Sequence, residues 1–273
     1  MTLDAQTQQM VAANQADWDA RAPLHAASAF YDKPAEYWFA DYEWADLGPL
    51  DGRDVLHLQC HLGTETIEFA RRGARTSGLD LSEKSLEAAN RIAARAGVDV
   101  EYLQANVYDA AQAVEGRQFD IVYTGKGALC YLPDLKQWAD TVRDLLKPGG
   151  FLYLVEFHPL LNALREVSLP GESDDLTLRA DYLDGRGAIA HDSTVTYTGD
   201  EVPGRQTSYE WRHGLGEIVS TLASAGFGIS TLRESEVLPW PRWPRMQQTP
   251  EGWWRLPDDA PRIPLFFALK ATR

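Results

Sequence analysis

The chain has 273 residues, 44% of them hydrophobic and 24% charged, enough for one α/β domain with insertions or for a core with a small cap. Its formal net charge of −14 argues against nucleic acid or an anionic membrane as partner, since either needs basic patches to meet phosphates. No apolar run approaches the roughly 20 residues of a spanning helix. The start, Met1-Thr-Leu-Asp-Ala-Gln, has neither a basic nor an apolar leader character, and Cys60 and Cys130 are the only cysteines, so a cytoplasmic location is expected.

Residues 1–50 read as helical and aromatic, with Trp18, Phe30, Tyr31, Tyr37, Trp38, Phe39, Tyr42 and Trp44 outside any strand–helix alternation. They are expected to form a cap whose residues 31–44 close over the site; a helical extension merely packed on the core is the alternative. From Asp54 a short apolar strand (Val55, Leu56, Leu58, Cys60) runs into a turn at Gly63, and from Thr64 the spacing of Ile67, Phe69 and Ala70 turns helical until Gly73. Strand, tight turn and helix open a βαβ unit whose helix-start N–H groups can hold an anionic or polar group. Only Gly63 stands in the turn, so a Gly-x-Gly-x-x-Gly phosphate fingerprint is absent. A second strand, 74–79, ends at Asp80, at the spacing that suits ribose hydroxyls. Capping the next helix is the other reading of this carboxylate.

Ser82 opens a helix through Leu86, Ala89, Ile92 and Ala93, closed by Gly97. A third strand, 100–104, leads into Ala105-Asn106-Val107-Tyr108-Asp109, and a fourth, 119–124, into Gly125-Lys126-Gly127. A helix starts at Leu132-Pro-Asp134, Lys147-Pro-Gly-Gly150 breaks it, and 151–158 is a strongly apolar fifth strand. This alternation argues for a parallel, doubly wound sheet with its ligand at the carboxyl ends of the strands, where His61, Asp80, Asn106, Thr124 and His158 stand. Residues 159–212 interrupt it with loops at 169–175, 184–187 and 199–204 and a β-like piece at 193–198, and read as an insertion over the site. A helix at 215–225, a strand near 229–232, a stretch at 239–264 with seven prolines and four tryptophans, and a strand at 265–270 complete the chain.

In this order the segments resemble the class I S-adenosylmethionine-dependent methyltransferases. The motifs are the strand–turn–helix with Cys60 and Gly63, the acidic strand end Asp80, Ala105 to Asp109, Phe119-Asp-Ile-Val-Tyr and Leu146-Lys-Pro-Gly-Gly150. The likeness covers 54–157, and 213–270 is consistent with the family's last three elements. It implies a seven-stranded Rossmann-like sheet divided as a helical cap (1–50), a cofactor-binding core (51–158), an insertion or substrate lid (159–212) and the rest of the sheet with a Trp/Pro-rich loop (213–273). It further implies S-adenosyl-L-methionine as cofactor, S-adenosyl-L-homocysteine as product, and a site made by Tyr31, Gln59, His61, Gly63, Asp80, Leu81, Asn106, Val107, Tyr108 and Thr124. Where the family usually reads Asp-x-Gly-x-Gly-x-Gly, this chain has His57, Gln59, His61 and Gly63, so side chains stand where backbone normally approaches the ligand. Asn106 replaces the usual adenine-contacting Asp, a mild change because its oxygen still accepts. More narrowly, Leu56–Gly63, Gly127–Asp134, Val155–Pro159 and Trp211–Val219 are similar to a bacterial subgroup with this modified turn.

Methyl transfer from a sulfonium is an in-line displacement, so the protein must align the acceptor and remove a proton where the acceptor carries one. His158 and His213 are the candidate bases, with His191 a third; a structural histidine is the alternative for each. His57, inside the first strand, reads as a core residue, and His25 in the cap carries no reading. Trp38, Lys126, His158 and Trp211 are expected to face the acceptor. Eight of the nine tryptophans lie outside 54–157, which suits a small, flat, aromatic or heterocyclic acceptor, or else glues cap and tail to the core. No metal-ligand spacing appears. The expected partner is this small molecule alone, acted on by a monomer or homodimer. A nicotinamide-dependent oxidoreductase and a non-catalytic nucleoside-binding protein are the rival readings.

Overall fold

The computed structural model describes residues 3–164 and 176–273; the loop expected at 169–175 lies outside them. Five strands follow the expected alternation: β1 (Asp54–Leu58), β2 (Arg75–Asp80), β3 (Glu101–Gln104), β4 (Phe119–Thr124) and β5 (Leu146–Phe157). Between them lie α3 (Thr64–Arg71), α4 (Glu83–Ala96), the short α5 (Ala110–Ala113) and α6 (Leu135–Leu145), after an N-terminal α1 (Ala5–Ala27) and α2 (Asp41–Leu47). Past β5 come α7 (Pro159–Ala163), the hairpin β6 (Ile189–Val195) and β7 (Glu201–Glu210), α8 (Leu215–Ser224) and β8 (Gly228–Ser235). A two-residue pair, β9 (Gln247–Gln248) and β10 (Trp254–Arg255), and the last strand β11 (Phe266–Thr272) end the chain.

The main sheet has seven strands in the order β3-β2-β1-β4-β5-β11-β8, with β11 antiparallel to both neighbours and the strands from β3 to β5 parallel. Both faces are covered, as a parallel sheet requires. On β5, Leu152 and Leu154 point to one core with Trp138, Val142 and Leu222, while Phe151, Tyr153 and Val155 point to the other with Phe39, Phe69, Trp243 and Trp253. The Pro/Trp-rich stretch therefore serves as one lid of the core.

Local chemistry explains the boundaries. Ser82 caps α4 through its side chain on Ser85 N, and Gly97 closes it at φ 68°, a left-handed conformation that favours glycine. Asp134 caps α6 by accepting from Gln137 N. The expected helix break holds, since α6 ends at Leu145, and residues 147–150 form a bulge inside β5, where the pairing with β4 shifts between Phe119 and Ile121 and Lys147 reaches Asp54 and Asp120 at 2.6 and 2.9 Å. In the insertion the expected β-like piece belongs to the larger hairpin β6–β7. That hairpin is tied to α1, whose Asn14 donates to Tyr209 O (2.8 Å) and accepts from Tyr209 N (2.6 Å). Among the described residues no helix is long and apolar enough to cross a membrane.

Candidate functional site

The carboxyl ends of β1 to β5 open into a cavity of about 590 Å³, within the usual size of small-molecule sites. Cap, insertion and tail cover it: Trp18, Tyr31 and Trp38 come from the first segment, Tyr197, Glu210 and Trp211 from the second, and Trp240 from the third. Of the residues expected to hold the cofactor, Tyr31, Gln59, His61, Asp80, Leu81, Asn106, Val107 and Tyr108 line it. Gly63 and Thr124 do not. Gly63 caps α3 at φ 70°, and a Cβ there would collide with the Tyr102 hydroxyl, so a neighbouring side chain demands this glycine. Thr124 is fully buried beneath the floor that Gly125 and Lys126 provide.

The turn after β1 keeps a glycine-like backbone without the glycines. Gln59 (φ 55°) and His61 (φ 47°) are both left-handed, at a cost of about 1–2 kcal/mol each. Their side chains and the turn's backbone are engaged. Gln59 Nε2 donates to Ala128 O at 3.0 Å, while its Oε1 is buried with no partner among the described residues. His61 Nδ1 meets Ser85 Oγ at 3.0 Å and its Nε2 meets His25 Nδ1 at 3.0 Å. Asp80 at the end of β2 accepts His61 N through one oxygen and Ser82 N through the other, both at 2.8 Å. It thus braces the turn, caps the next chain segment and faces the cavity together. Burial pushes its carboxyl up to about 6 in spite of these bonds. Asn106 Oδ1 accepts from Tyr108 N at 3.1 Å, which holds its amide at the cavity edge.

Behind this floor His61, expected at the cofactor site, pairs with His25, which the sequence left without a role. His25, fully buried on α1, lies against His61 and 3.3 Å from the Tyr197 hydroxyl, which in turn hydrogen-bonds the Tyr31 hydroxyl. Burial holds His25 down at about 4, with Arg21 adding to it, and holds His61 well below the usual range. Both rings are neutral at pH 7. They join cap, first turn and insertion at one point.

Beyond Gln59, Lys126 donates to Trp38 O and lies 3.5 and 3.8 Å from the Glu43 and Glu65 carboxylates. Burial pushes Glu43 up, and Lys126 is the chief group opposing that shift. Trp38 Nε1, also buried, has no acceptor among the described residues. Phe30, Trp38, Phe157 and Trp240 complete an aromatic wall, with ring centroids 5.1 Å apart for Phe30–Trp38 and 5.0 Å for Phe157–Trp240. Trp243 and Trp253, in contrast, are core residues.

His158 is the principal correction. It does not line the cavity. β5 ends at Phe157, and Pro159 starts α7, so His158 becomes the cap of that helix: its Nδ1 accepts from Leu160 N (3.1 Å) and its Nε2 lies 2.9 Å from Glu234 on β8. Burial lowers its pKa, against the Glu234 carboxylate. His158→Ala is accordingly expected to lower stability by about 1 kcal/mol through the lost cap while ligand affinity is unchanged; thermal melts and titration would check both. Glu156, two residues earlier on β5, is engaged with the loop after β4. Its carboxylate accepts from Gly127 N, Ala128 N and Leu129 N at 2.6, 2.6 and 2.9 Å, clamping the loop after β4. His213, Lys126 and Trp211 do line the cavity, as does His191. His213 Nε2 is bonded to Leu132 O at 2.8 Å and its Nδ1 is 3.4 Å from Glu217. Among the described residues no three His, Cys, Asp or Glu side chains converge as a metal site.

Comparison with known proteins bears on the same segment. A family profile described as a methyltransferase domain matches residues 56–152. Ubiquinone biosynthesis O-methyltransferase of Bordetella avium is 34% identical over 141 residues, covering 50% of this chain and 54% of that protein. The same enzyme of Paracidovorax citrulli is 37% identical over 112 residues, 40% of this chain and 46% of that one. The chain thus spans about half the length of these curated relatives. Among solved structures, an S-adenosylmethionine-dependent methyltransferase of Mesorhizobium loti superposes with a TM-score of 0.56 at 22% identity, over 89% of this chain and 99% of the other. DhpI in complex with SAH superposes with a TM-score of 0.58 at 19% identity, over 96% of each.

Proposed function

We propose that this chain, which carries a methyltransferase domain of class I fold over residues 56–152, transfers a methyl group from S-adenosyl-L-methionine to a small aromatic or heterocyclic acceptor. The observation that carries the reading is the row of polar groups across four adjacent strand ends. Asn106 follows β3, Asp80 ends β2, Gln59 follows β1 and Lys126 follows β4, and the register brings these ends level. Three strand spacings amount to about 14 Å, the reach of an adenosine extended by an amino-acid chain.

The groups fit that ligand in order. The Asn106 amide suits a base edge, and the Asp80 carboxylate suits two vicinal hydroxyls. The orphaned Gln59 Oε1 with the Glu65 carboxylate suits an ammonium, and Lys126 with the orphaned Trp38 Nε1 suits a carboxylate. An uncompensated buried acceptor and donor at the same end are what a zwitterion would satisfy. When bound, the cofactor supplies an already activated methyl group. The protein's part is to align the acceptor against the aromatic wall and to exclude water with cap and insertion. The ubiquinone-pathway names of the relatives agree with a flat aromatic acceptor.

Isothermal titration of the full chain with S-adenosyl-L-homocysteine, S-adenosyl-L-methionine and NAD tests the reading, with binding of the first two and not the third expected. Binding of NAD alone would turn the site into that of an oxidoreductase. Binding of the sulfonium with no methyl transfer to any of a panel of phenols, anilines and indoles would leave a silent nucleoside binder.

A further inference from the structure

The wall that the insertion contributes carries a guanidinium only half satisfied by the protein. Arg212 lies between two anchored residues: Trp211 N donates to Cys130 O at 2.7 Å, and His213 Nε2 is bonded to Leu132 O at 2.8 Å. Its side chain is 11% exposed and lines the cavity, so little of it reaches open solvent. Nη1 is engaged by Glu210 Oε2 at 3.0 Å. Nε, on the opposite edge of the planar group, is buried with no acceptor among the described residues. Burial pushes Glu210 up, but His191 and Arg212 together hold it below the usual range, so it remains a carboxylate and orients the guanidinium.

We propose that the Nε/Nη2 edge of Arg212 receives a carboxylate of the methyl acceptor, which makes small aromatic acids the substrate class. This rests on the methyltransferase reading of the same cavity. Two parallel N–H groups match two carboxylate oxygens in a fork, and the contact gives the buried Nε–H the acceptor it lacks. The aromatic body has its place in Phe157, Trp240, Tyr131 and Trp211, which share the cavity with Arg212. Trp211 N on Cys130 O sets the neighbouring Arg212 beside the loop that Glu156 clamps after β4. Charge decides between oxyanions. The Glu210 and Glu156 carboxylates already outnumber the one guanidinium, so any anion adds negative charge to this wall, and a singly charged carboxylate is tolerated better than a phosphate dianion.

The test is calorimetric, on the full chain saturated with S-adenosyl-L-homocysteine. Benzoate, 4-hydroxybenzoate and phenylacetate are compared with the corresponding amides, which keep shape and lose charge. At least one acid should bind roughly ten- to a hundredfold more tightly than its amide. Arg212→Gln should erase that preference while S-adenosyl-L-homocysteine affinity stays within about twofold, because the two contacts are separate. Arg212→Lys, which keeps the charge without the fork, should retain about a tenth of the acid affinity or less. Equal affinity of acid and amide, no binding of any acid, or a preference that survives in Arg212→Gln each overturns the assignment with the cofactor reading intact. Failure of the parent to bind S-adenosyl-L-homocysteine defeats the methyltransferase reading instead, and the same titrations without it still decide Arg212.

Discussion

Asp80→Asn is expected to weaken S-adenosyl-L-homocysteine binding by at least about 1.5–3 kcal/mol, the usual worth of hydrogen bonds to a charged acceptor. The loss has two sources. A carboxylate offers acceptors to two ribose hydroxyls, whereas the amide turns one of them into a donor. The amide nitrogen must also face either His61 N or Ser82 N, each now bonded at 2.8 Å, so the turn that carries Gln59 and His61 loses a brace. The same carboxyl gives the affinity a pH dependence. Burial, the largest influence, raises it from the ordinary 3.8 to about 6, with Asp19 adding to the shift, so the free protein still holds this proton at mildly acid pH. Ribose hydroxyls favour the ionised form, so binding lowers this pKa and releases the proton. Affinity should therefore rise from pH 5 to pH 7 and level off above. His25, held at about 4, and His61, lower than usual, stay neutral throughout and do not contribute. The effect on stability has the opposite sign: a carboxyl raised on folding favours the folded chain below about pH 4 and costs it stability as pH rises through about 6. Titrations from pH 5 to 8 check the binding arm. A flat profile together with parent-like affinity in Asp80→Asn would remove Asp80 from the cofactor site.

Which features were legible in the sequence follows from how local their causes are. The strands up to Phe157 declare themselves because both faces of a parallel strand are buried, so Val55, Leu56 and Leu58, or Leu152 to Val155, must all be apolar. Ser82, Gly97 and Asp134 act on backbone groups within four residues, so their caps can be read off directly. The site is harder because its members come from distant segments. His25 and His61 are 36 residues apart, and Tyr31 and Tyr197 are 166 apart, with no periodicity linking them. His158 was misplaced through a single-residue matter: with Pro159 as the first helical residue, His158 leaves the strand and its ring bonds forward to Leu160 N. The signal for Glu156 was present, since a carboxylate inside an otherwise apolar strand needs several donors. The sequence could not say which ones, because they lie 27 to 29 residues earlier.

Glu156→Gln is expected to be the more damaging of the two changes at the end of β5, where His158→Ala is mild. The carboxylate takes Ala128 N and Leu129 N on one oxygen and Gly127 N and Phe157 N on the other. A glutamine keeps its size but offers one oxygen, so whichever way the amide turns, its NH2 group points at two N–H groups. Each buried donor left without an acceptor costs about 1–3 kcal/mol, so the variant should lose about 2–4 kcal/mol once the loop has partly relaxed. That is a large share of the roughly 5–15 kcal/mol by which a domain is stable. The loop is also the wall to which Gln59 is bonded through Ala128 O, and it runs on to Cys130, whose carbonyl holds Trp211. Slackening it should disturb the first turn and the insertion together, so cofactor affinity and acceptor binding fall in step with stability. Urea unfolding and S-adenosyl-L-homocysteine titration on the same samples measure both. A midpoint and affinity equal to the parent's would mean that the three loop N–H groups find other acceptors, and that Glu156 is not what holds the wall of the site in place.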